Sequence, residues 1–319
     1  MSWSTANPIF VDVKLPITAK QLDAINRTTG RVQFSYALAD RDHQKLAKRL
    51  LQFPKTALRT YELFGTPERS LDFLQNYQGL KQLQINLYGL ESVEGIEHVA
   101  DPLEHLEIGR TKHRLPLDFL SRFGHLKGLC LEEHATGIEV LSQLKQLEEL
   151  SLRSITLDNL EVVADLPNLW SLELILGGTK NLAALSRAKS LKNLELRLVR
   201  NLADISVVSE IPALQRIVLD SLRNVPALPS LKKLHKLRRI TLKKMKGIDD
   251  LTPLLHATAL EDAIIICASH LASEALRPRQ KHVSLKAIGF GLGSNKKNRA
   301  VALMFPQLQH TIKYPFIYQ

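Results

Sequence analysis

One apolar pattern returns along most of this 319-residue chain at a nearly constant spacing. The pattern is Leu-x-x-Leu-x-Leu or a close variant, and its first position recurs every 21 to 23 residues. The first positions are Leu58, Leu80, Leu103, Leu126, Leu147, Leu169, Leu191, Leu214, Leu237 and Leu260. A spacing kept over so many copies means that one short structural unit is stacked on itself, each copy covering the apolar face of the next. We therefore expect a solenoid.

The most regular copies keep leucine at all three apolar positions. They are Leu147, Leu150 and Leu152, then Leu169, Leu172 and Leu174, then Leu191, Leu194 and Leu196. In these residues the chain resembles the leucine-rich-repeat family, in particular its internalin-like and phosphatase-regulator-like branch with repeats of about 22 residues. The resemblance implies an α/β solenoid with a curved parallel β-sheet on the concave face and short helical or 3-10 turns on the convex face.

The repeat divides the chain into three predicted segments. Residues 1–56 do not repeat and are expected to form an N-terminal cap, with a helix near Thr18, a strand within 31–36 and a second helix from Asp40 or Asp42 to Leu51. Residues 57–290 hold ten regular copies and a degenerate last one. Residues 291–319 are expected to form a C-terminal cap, with a helix over Lys296 to Met304. The tail aromatics are expected to fold over the final turn; they are Tyr314, Phe316 and Tyr318.

The chain departs from the family at one position of the repeat. The family usually places asparagine just beyond the third apolar position, where its side chain bonds to neighbouring backbone. Here the position is held by Tyr88, Thr111, His134, Ile155, Gly177, Val199, Leu222, Met245 and Ala268. We expect the backbone groups there to be satisfied by one another or by water.

The cysteine content and the lack of long apolar stretches indicate where in the cell the protein is expected to function. The two cysteines, Cys130 and Cys267, are six repeats apart and too distant to form a disulfide, whereas extracellular members of the family often cap their ends with disulfides. No stretch approaches the roughly 18 uninterrupted apolar residues of a membrane helix, and the N-terminus has no basic start followed by an apolar run. We expect a cytoplasmic protein that does not bind membranes and is a monomer when free.

The second, third and fifth positions of each copy are expected to face outward from the concave sheet, beginning with Arg59, Thr60 and Glu62 in the first copy. Acidic residues gather on the concave face in the middle of the array: Glu104, Glu107, Glu132, Glu148, Glu149, Glu173 and Glu195. They flank Trp170, and tryptophan is the residue most enriched at binding hot spots. We predict a partner site here. The alternative is that these polar side chains are only solvated and that Trp170 packs flat on neighbouring stems.

Positive charge is concentrated in the C-terminal third of the chain. Of the net charge of +11, residues 221–319 carry 17 Lys or Arg against 5 Asp or Glu, so the rest of the chain is nearly neutral. Four cations of the predicted concave face are assigned to partner binding: Arg216, Arg238, Arg239 and Lys243. The dense run 232–246 could bind a phosphate backbone, although no aromatic residue is interleaved with it to stack on bases. The alternative is a solvated basic face.

Enzyme motifs are weak throughout. The glycines of 289–293 have a spacing near that of a dinucleotide turn, but no βαβ unit follows. The histidines lie on different repeats without metal-ligand spacing, and Cys130 lies near Glu132, whose charge discourages a thiolate. We expect no catalytic residue, no metal and no cofactor.

The sequence thus predicts a non-catalytic recognition protein that grips a folded protein partner on its concave face. The narrower prediction, by analogy at the level of fold, is a bacterial immunity protein that occludes a toxin or effector. The alternative function is binding of nucleic acid or another polyanion through the basic C-terminal third.

Overall fold

The computed structural model describes residues 9–62, 67–310 and Tyr318, and of 278–281 the backbone alone. Contacts divide the chain into two compact units, Ser2–Arg153 and Ser154–Gln319. Both units are built from short parallel strands that alternate with turns, short α-helices and 3-10 helices. The predicted parallel sheet and the predicted helical or 3-10 return segments are therefore confirmed.

In the unit Ser2–Arg153, each strand pairs in parallel with the next one along the chain. The strands are β1 (Phe10–Asp12), β2 (Arg31–Phe34), β3 (Ala57–Tyr61), β4 (Gln82–Asn86), β5 (His105–Ile108), β6 (Gly128–Glu132) and β7 (Glu149–Arg153). The connections carry α1 (Ala19–Asp23), α2 (Asp40–Leu50) and 3-10 helices at Asp72–Tyr77, Ile96–Val99, Asp118–Arg122 and Ile138–Gln143. Thr18 caps α1 by accepting a hydrogen bond from the Gln21 N–H, as its position predicted.

The unit Ser154–Gln319 repeats this plan with six parallel strands. The strands are β8 (Ser171–Ile175), β9 (Asn193–Arg197), β10 (Arg216–Asp220), β11 (Arg239–Lys243), β12 (Asp262–Ile266) and β13 (Ala287–Gly291). Its helices are α3 (Glu161–Ala164), α4 (Asn295–Met304) and the 3-10 helices Ala183–Arg187, Ser206–Glu210, Thr252–His256 and Ser273–Lys281. The Ser294 side chain caps α4, so the predicted C-terminal helix is confirmed.

Apolar side chains meet across neighbouring strands, often leucine opposite leucine. The register sets Leu172 opposite Leu194 and Leu174 opposite Leu196. Leu172, Leu194 and Leu196 are fully buried. Truncating one such side chain to alanine costs about 2–5 kcal/mol, because the cavity left behind closes only in part. These repeated contacts form the core.

A left-handed residue follows most strands and extends the ladder by one bond. Leu176 (φ 65°), Leu198 (φ 54°) and Ser221 (φ 58°) each come directly after a strand. Their N–H groups donate to the last carbonyl of the next strand, as from Leu176 to Arg197 at 2.9 Å. A non-glycine residue in this conformation costs roughly 1–2 kcal/mol, which the hydrogen bond and the neighbouring packing offset.

The first repeat has a different register from the one the sequence predicts. Leu58 pairs with Leu83, which is the fourth position of its own copy, so Leu58 is also a fourth position and not a first. As a result Thr60 points inward and is 1% exposed, whereas Arg59 takes the outward fifth position. The prediction for Thr60 was wrong because Leu58 and Tyr61 imitate the first and fourth positions of the pattern.

The missing asparagines are replaced in part by other side chains. His134 is completely buried; its Nδ1 accepts a hydrogen bond from the Leu115 N–H (3.1 Å) and its Nε2 donates to the Gly109 carbonyl (3.0 Å). The Thr179 hydroxyl accepts from the Leu157 N–H at 3.0 Å. The expectation that only backbone or water satisfies these groups was therefore wrong for these repeats, because a histidine or threonine side chain reaches them.

We expect His134→Ala to lower the free energy of unfolding by about 1–3 kcal/mol, because it leaves two buried backbone groups without a partner. Burial lowers the pKa of His134 below its ordinary 6.5, against the opposing Gly109 hydrogen bond. The unfolded chain therefore takes up a proton at this residue as pH falls through 6.5 while the folded chain does not, and stability declines. The His134→Ala variant should lack this contribution to acid sensitivity.

Urea unfolding at pH 7.5 and pH 5.5 measures both effects. His125→Ala, at an exposed position, is the matched control and should change little.

Candidate functional site

The outward side chains of the unit Ser154–Gln319 form a surface that we call the strand face. Two rows of residues cross it, because parallel strands in register place equivalent positions side by side. The third-position row contains Ser171, Asn193, Arg216, Arg239, Asp262 and Ala287. The fifth-position row contains Glu173, Glu195, Val218, Thr241, Ile264 and Gly289.

A buried ion pair lies near the start of this face. The Arg216 guanidinium on β10 pairs with the Glu195 carboxylate on β9, and both side chains are less than 10% exposed. Arg216 also donates to the Asn193 amide oxygen (2.8 Å), and the Asn193 amide donates to the Ser171 hydroxyl (2.9 Å). A second cation, Arg197, binds the other oxygen of Glu195. Asn193, Ser171 and Arg197 therefore hold Arg216 and Glu195 in one arrangement.

The titration of Glu195 reflects this setting. Burial alone would raise the pKa of its carboxyl group, but the positive charges of Arg216 and Arg197 and their hydrogen bonds outweigh burial and lower it. Glu195 is therefore ionised near neutral pH. The predicted acidic residue therefore lies in a cluster with two cations, Arg216 and Arg197.

Trp170 lies immediately before β8, half-buried on the strand face. The ring of Tyr318 packs on it with centroids 4.8 Å apart and planes tilted by 58°. The Arg216 guanidinium also lies close enough to the Tyr318 phenol to interact with it through charge and a hydrogen bond. The expectation that the tail aromatics fold over the final turn is therefore wrong for Tyr318, which contacts β8–β10; Tyr314 and Phe316 lie outside the described residues.

The cations of the C-terminal part of this face are each held by a carboxylate of a neighbouring strand. Arg239 pairs with Asp262 at 2.6 Å, and Lys243 pairs with Asp220 at 2.9 Å. Arg238 binds Glu261, and the hydrogen bonds from Arg238, against the effect of burial, lower the pKa of that carboxyl group. The predicted cations are thus largely neutralised where they lie.

The other five predicted residues lie in the unit Ser2–Arg153. Glu104 accepts from Lys81 (3.0 Å) and Lys127 (3.2 Å); the Lys81 hydrogen bond, opposed by burial and assisted by Lys127, lowers its pKa. Glu107, on β5, accepts from the Asn86 amide at 3.1 Å. Three further carboxylates are half-buried: Glu132, Glu148 and Glu149. Within this set, the negative charge of Glu104 is therefore neutralised by the two lysines.

Sequence reasoning missed the groups that organise these charges. Arg59 donates to Asn86, which in turn donates to Glu107, so a polar chain crosses β3, β4 and β5. Asn193 and Asp220 stand at outward positions that a repeat alignment reveals, but their roles depend on which neighbour they meet. Tyr318 lies outside the repeat, so no periodic signal points to it.

The outward side chains described in both units make hydrogen bonds, ion pairs and ring contacts. Cys130 lies on β6 at a fifth position, which the repeat predicts to face outward, yet it is 1% exposed. Within residues 9–62, 67–310 and Tyr318, no three His, Cys, Asp or Glu side chains are placed to hold a metal ion. Among the same residues, no helix has the length and apolar character needed to cross a membrane.

No protein-family model matches the sequence, and no curated protein matches it. Solved structures are similar in fold. An internalin from Listeria monocytogenes is 14% identical, with a TM-score of 0.58 over 90% of this chain and 87% of its own. A chain of the Toll–Spätzle complex from Drosophila is 16% identical, with a TM-score of 0.53 over 86% of this chain and 41% of its own. At these identities the likeness shows the fold alone.

We expect Arg216→Ala to lower the free energy of unfolding at pH 7 by about 3 kcal/mol, because Glu195 loses one of the two cations that offset its burial. Only Arg197 then opposes the effect of burial on the pKa of Glu195, so this pKa is higher in the variant than in the wild-type chain. The variant therefore loses less stability on acidification, whereas the wild-type chain loses its Glu195 contribution below about pH 4.5. The difference in stability between the two chains should therefore shrink on acidification. Urea unfolding at pH 7 and pH 4 measures it. Lys233→Ala breaks an exposed pair with Glu210 and serves as the control.

Proposed function

We propose that this chain, which has the leucine-rich-repeat fold, is a non-catalytic protein that recognises a folded protein partner on the strand face of its Ser154–Gln319 unit. The observation that carries the proposal is the packing of an aromatic side chain, Tyr318, on the half-buried Trp170 beside an ordered cluster of charges. A face that holds one side chain of a polypeptide has the chemistry to hold another.

The order of the cluster supports recognition. Side chains already fixed by cross-strand bonds lose little conformational entropy when a partner covers them. Arg197 and Lys243 stay 38% and 39% exposed while paired, and Glu261 is 25% exposed. The face therefore presents both signs of charge, and we expect a partner that also carries both.

We propose a bacterial immunity protein that occludes a toxin or effector, acting in the cytoplasm as a monomer. In support of the cytoplasm, both cysteines are free thiols; Cys130 is buried and Cys267 is exposed. The glutamates of the Ser2–Arg153 unit stay predicted partner-binding residues.

We expect Trp170→Ala to weaken binding of the native partner about 30-fold or more, since a hot-spot truncation costs about 2 kcal/mol or more. The partner is captured from the source organism on immobilised wild-type protein, identified, purified and titrated against both chains. The matched control is Lys189→Ala, at an exposed position away from the strands. Equal affinities for wild-type and Trp170→Ala chains would remove the strand face from the proposal.

One observation favours binding of a polyanion as a second candidate. An open cleft of about 550 Å³ is lined in part by His235, Lys236, Arg238 and Lys286. However, Glu261 also lines it and pairs with Arg238 and Lys286, both at 3.2 Å. Most uncompensated charge therefore lies on the exposed lysines nearby, which are Lys232, Lys236, Lys244 and Lys246.

For this candidate the measurement is binding of a DNA duplex of about 20 base pairs between 50 and 200 mM salt. If phosphates are bound, replacing these four lysines by alanine should reduce the slope of log K against log salt by about 3 to 4. Trp170→Ala should leave that slope unchanged. Duplex binding that does not respond to the lysine substitutions would eliminate the second candidate.

A further inference from the structure

Resting on the proposed function, we propose that the strand face around Trp170 is a binding site for an unmodified tyrosine side chain. Tyr318 fills the site in the free protein, and the partner competes with it by inserting a tyrosine of its own. We call this part of the face, formed by Trp170, Glu173, Glu195 and Arg216, the tyrosine site.

The floor of the tyrosine site is built by three adjacent strands. Trp170 precedes β8, Glu195 lies on β9 and Arg216 lies on β10. The backbone fixes the tryptophan as well, because its carbonyl accepts hydrogen bonds from both Lys192 (2.8 Å) and Asn193 (2.9 Å). An aromatic ring that lands on Trp170 gains about 0.5–1.5 kcal/mol beyond the area that it buries.

The polar end of the ligand is recognised by Arg216. This guanidinium interacts with the Tyr318 phenol, and it is held in place by Glu195 and Asn193 before any ligand arrives. A phenylalanine would keep the ring contact and lose the interaction with Arg216. The site therefore favours tyrosine over phenylalanine.

The charges around the site require a neutral phenol. Burial, with added repulsion from Glu195 and Glu173, raises the pKa of Tyr318 to about 12 against the opposing effect of Arg216. A phosphate group would add a charge of about −1.5 to −2 beside these two carboxylates. Arg216 cannot offset that charge without giving up its pairing with Glu195. The site therefore rejects phosphotyrosine.

While Tyr318 occupies the tyrosine site, it lowers the apparent affinity of the site for any competing ligand. When the site is open for only a fraction of the time, the apparent dissociation constant of an added ligand rises by the inverse of that fraction. A site open less than about 10% of the time thus binds a competitor at least tenfold more weakly than an empty site does. Removing the Tyr318 side chain should abolish this competition.

The experiment uses the full chain with Trp3→Phe, so that Trp170 is the only tryptophan and reports binding by its fluorescence. The probe is a synthetic peptide of residues 313–319 with Tyr314→Ser, which leaves one tyrosine. We expect the Tyr318→Ala chain to bind it at least tenfold more tightly than the chain that retains Tyr318. Peptides with alanine or phosphotyrosine at the last tyrosine should bind at least tenfold more weakly, with phenylalanine between.

The matched control is Tyr88→Ala, which removes an exposed tyrosine of the other unit and should leave peptide affinity unchanged. A second measurement needs no peptide: Tyr318→Ala should shift the Trp170 emission to longer wavelength as water replaces the phenol ring. Equal peptide affinity with and without Tyr318, indifference to the alanine peptide, or an unshifted emission would each overturn the proposal. Because no outside partner is used, these results are independent of partner capture, and either proposal can fail alone.

Discussion

Burial of leucine against leucine in the next repeat is the interaction on which the rest of this protein depends. Leu172 against Leu194 and Leu174 against Leu196 illustrate it. Each contact is short in range, yet it sets the register of the neighbouring backbones, since a slip by one residue would turn the leucines to solvent. Once the register is set, every outward side chain has a fixed neighbour on each side.

That fixed neighbourhood explains the chemistry of the strand face. Charged side chains meet across strands as pairs, such as Arg239 with Asp262 and Lys243 with Asp220. Pairing removes net charge and restricts side-chain motion, so the surface resembles a preorganised template more than a charged patch. Trp170 lies in this setting, and its contact with Tyr318 gives the face an aromatic anchor.

The sequence predicted those parts of the structure that periodic burial determines. From Leu80 onward the pattern locates each strand and its inward residues, because an apolar contact recurs at the same positions of each copy. It misplaced the first copy by three residues, since Thr60 takes an inward position where leucine is usual. It also could not find the partners of the outward charges. Whether Glu195 is an exposed acid or a buried, paired one depends on Arg216 and Arg197, and a repeat pattern does not weigh such combinations.

The cross-strand ion pairs have a consequence for how such an array can change over generations. Leucines are interchangeable between repeats, so the core alone would tolerate loss or duplication of a whole repeat. The pairs are not interchangeable, because each joins one particular repeat to the next, as Asp220 is joined to Lys243, 23 residues away. Loss of the repeat that carries β11 would keep the apolar contacts but set Asp220 opposite Ile266. The cross-strand ion pairs therefore preserve the order of the repeats, and with it the position of Trp170 among them.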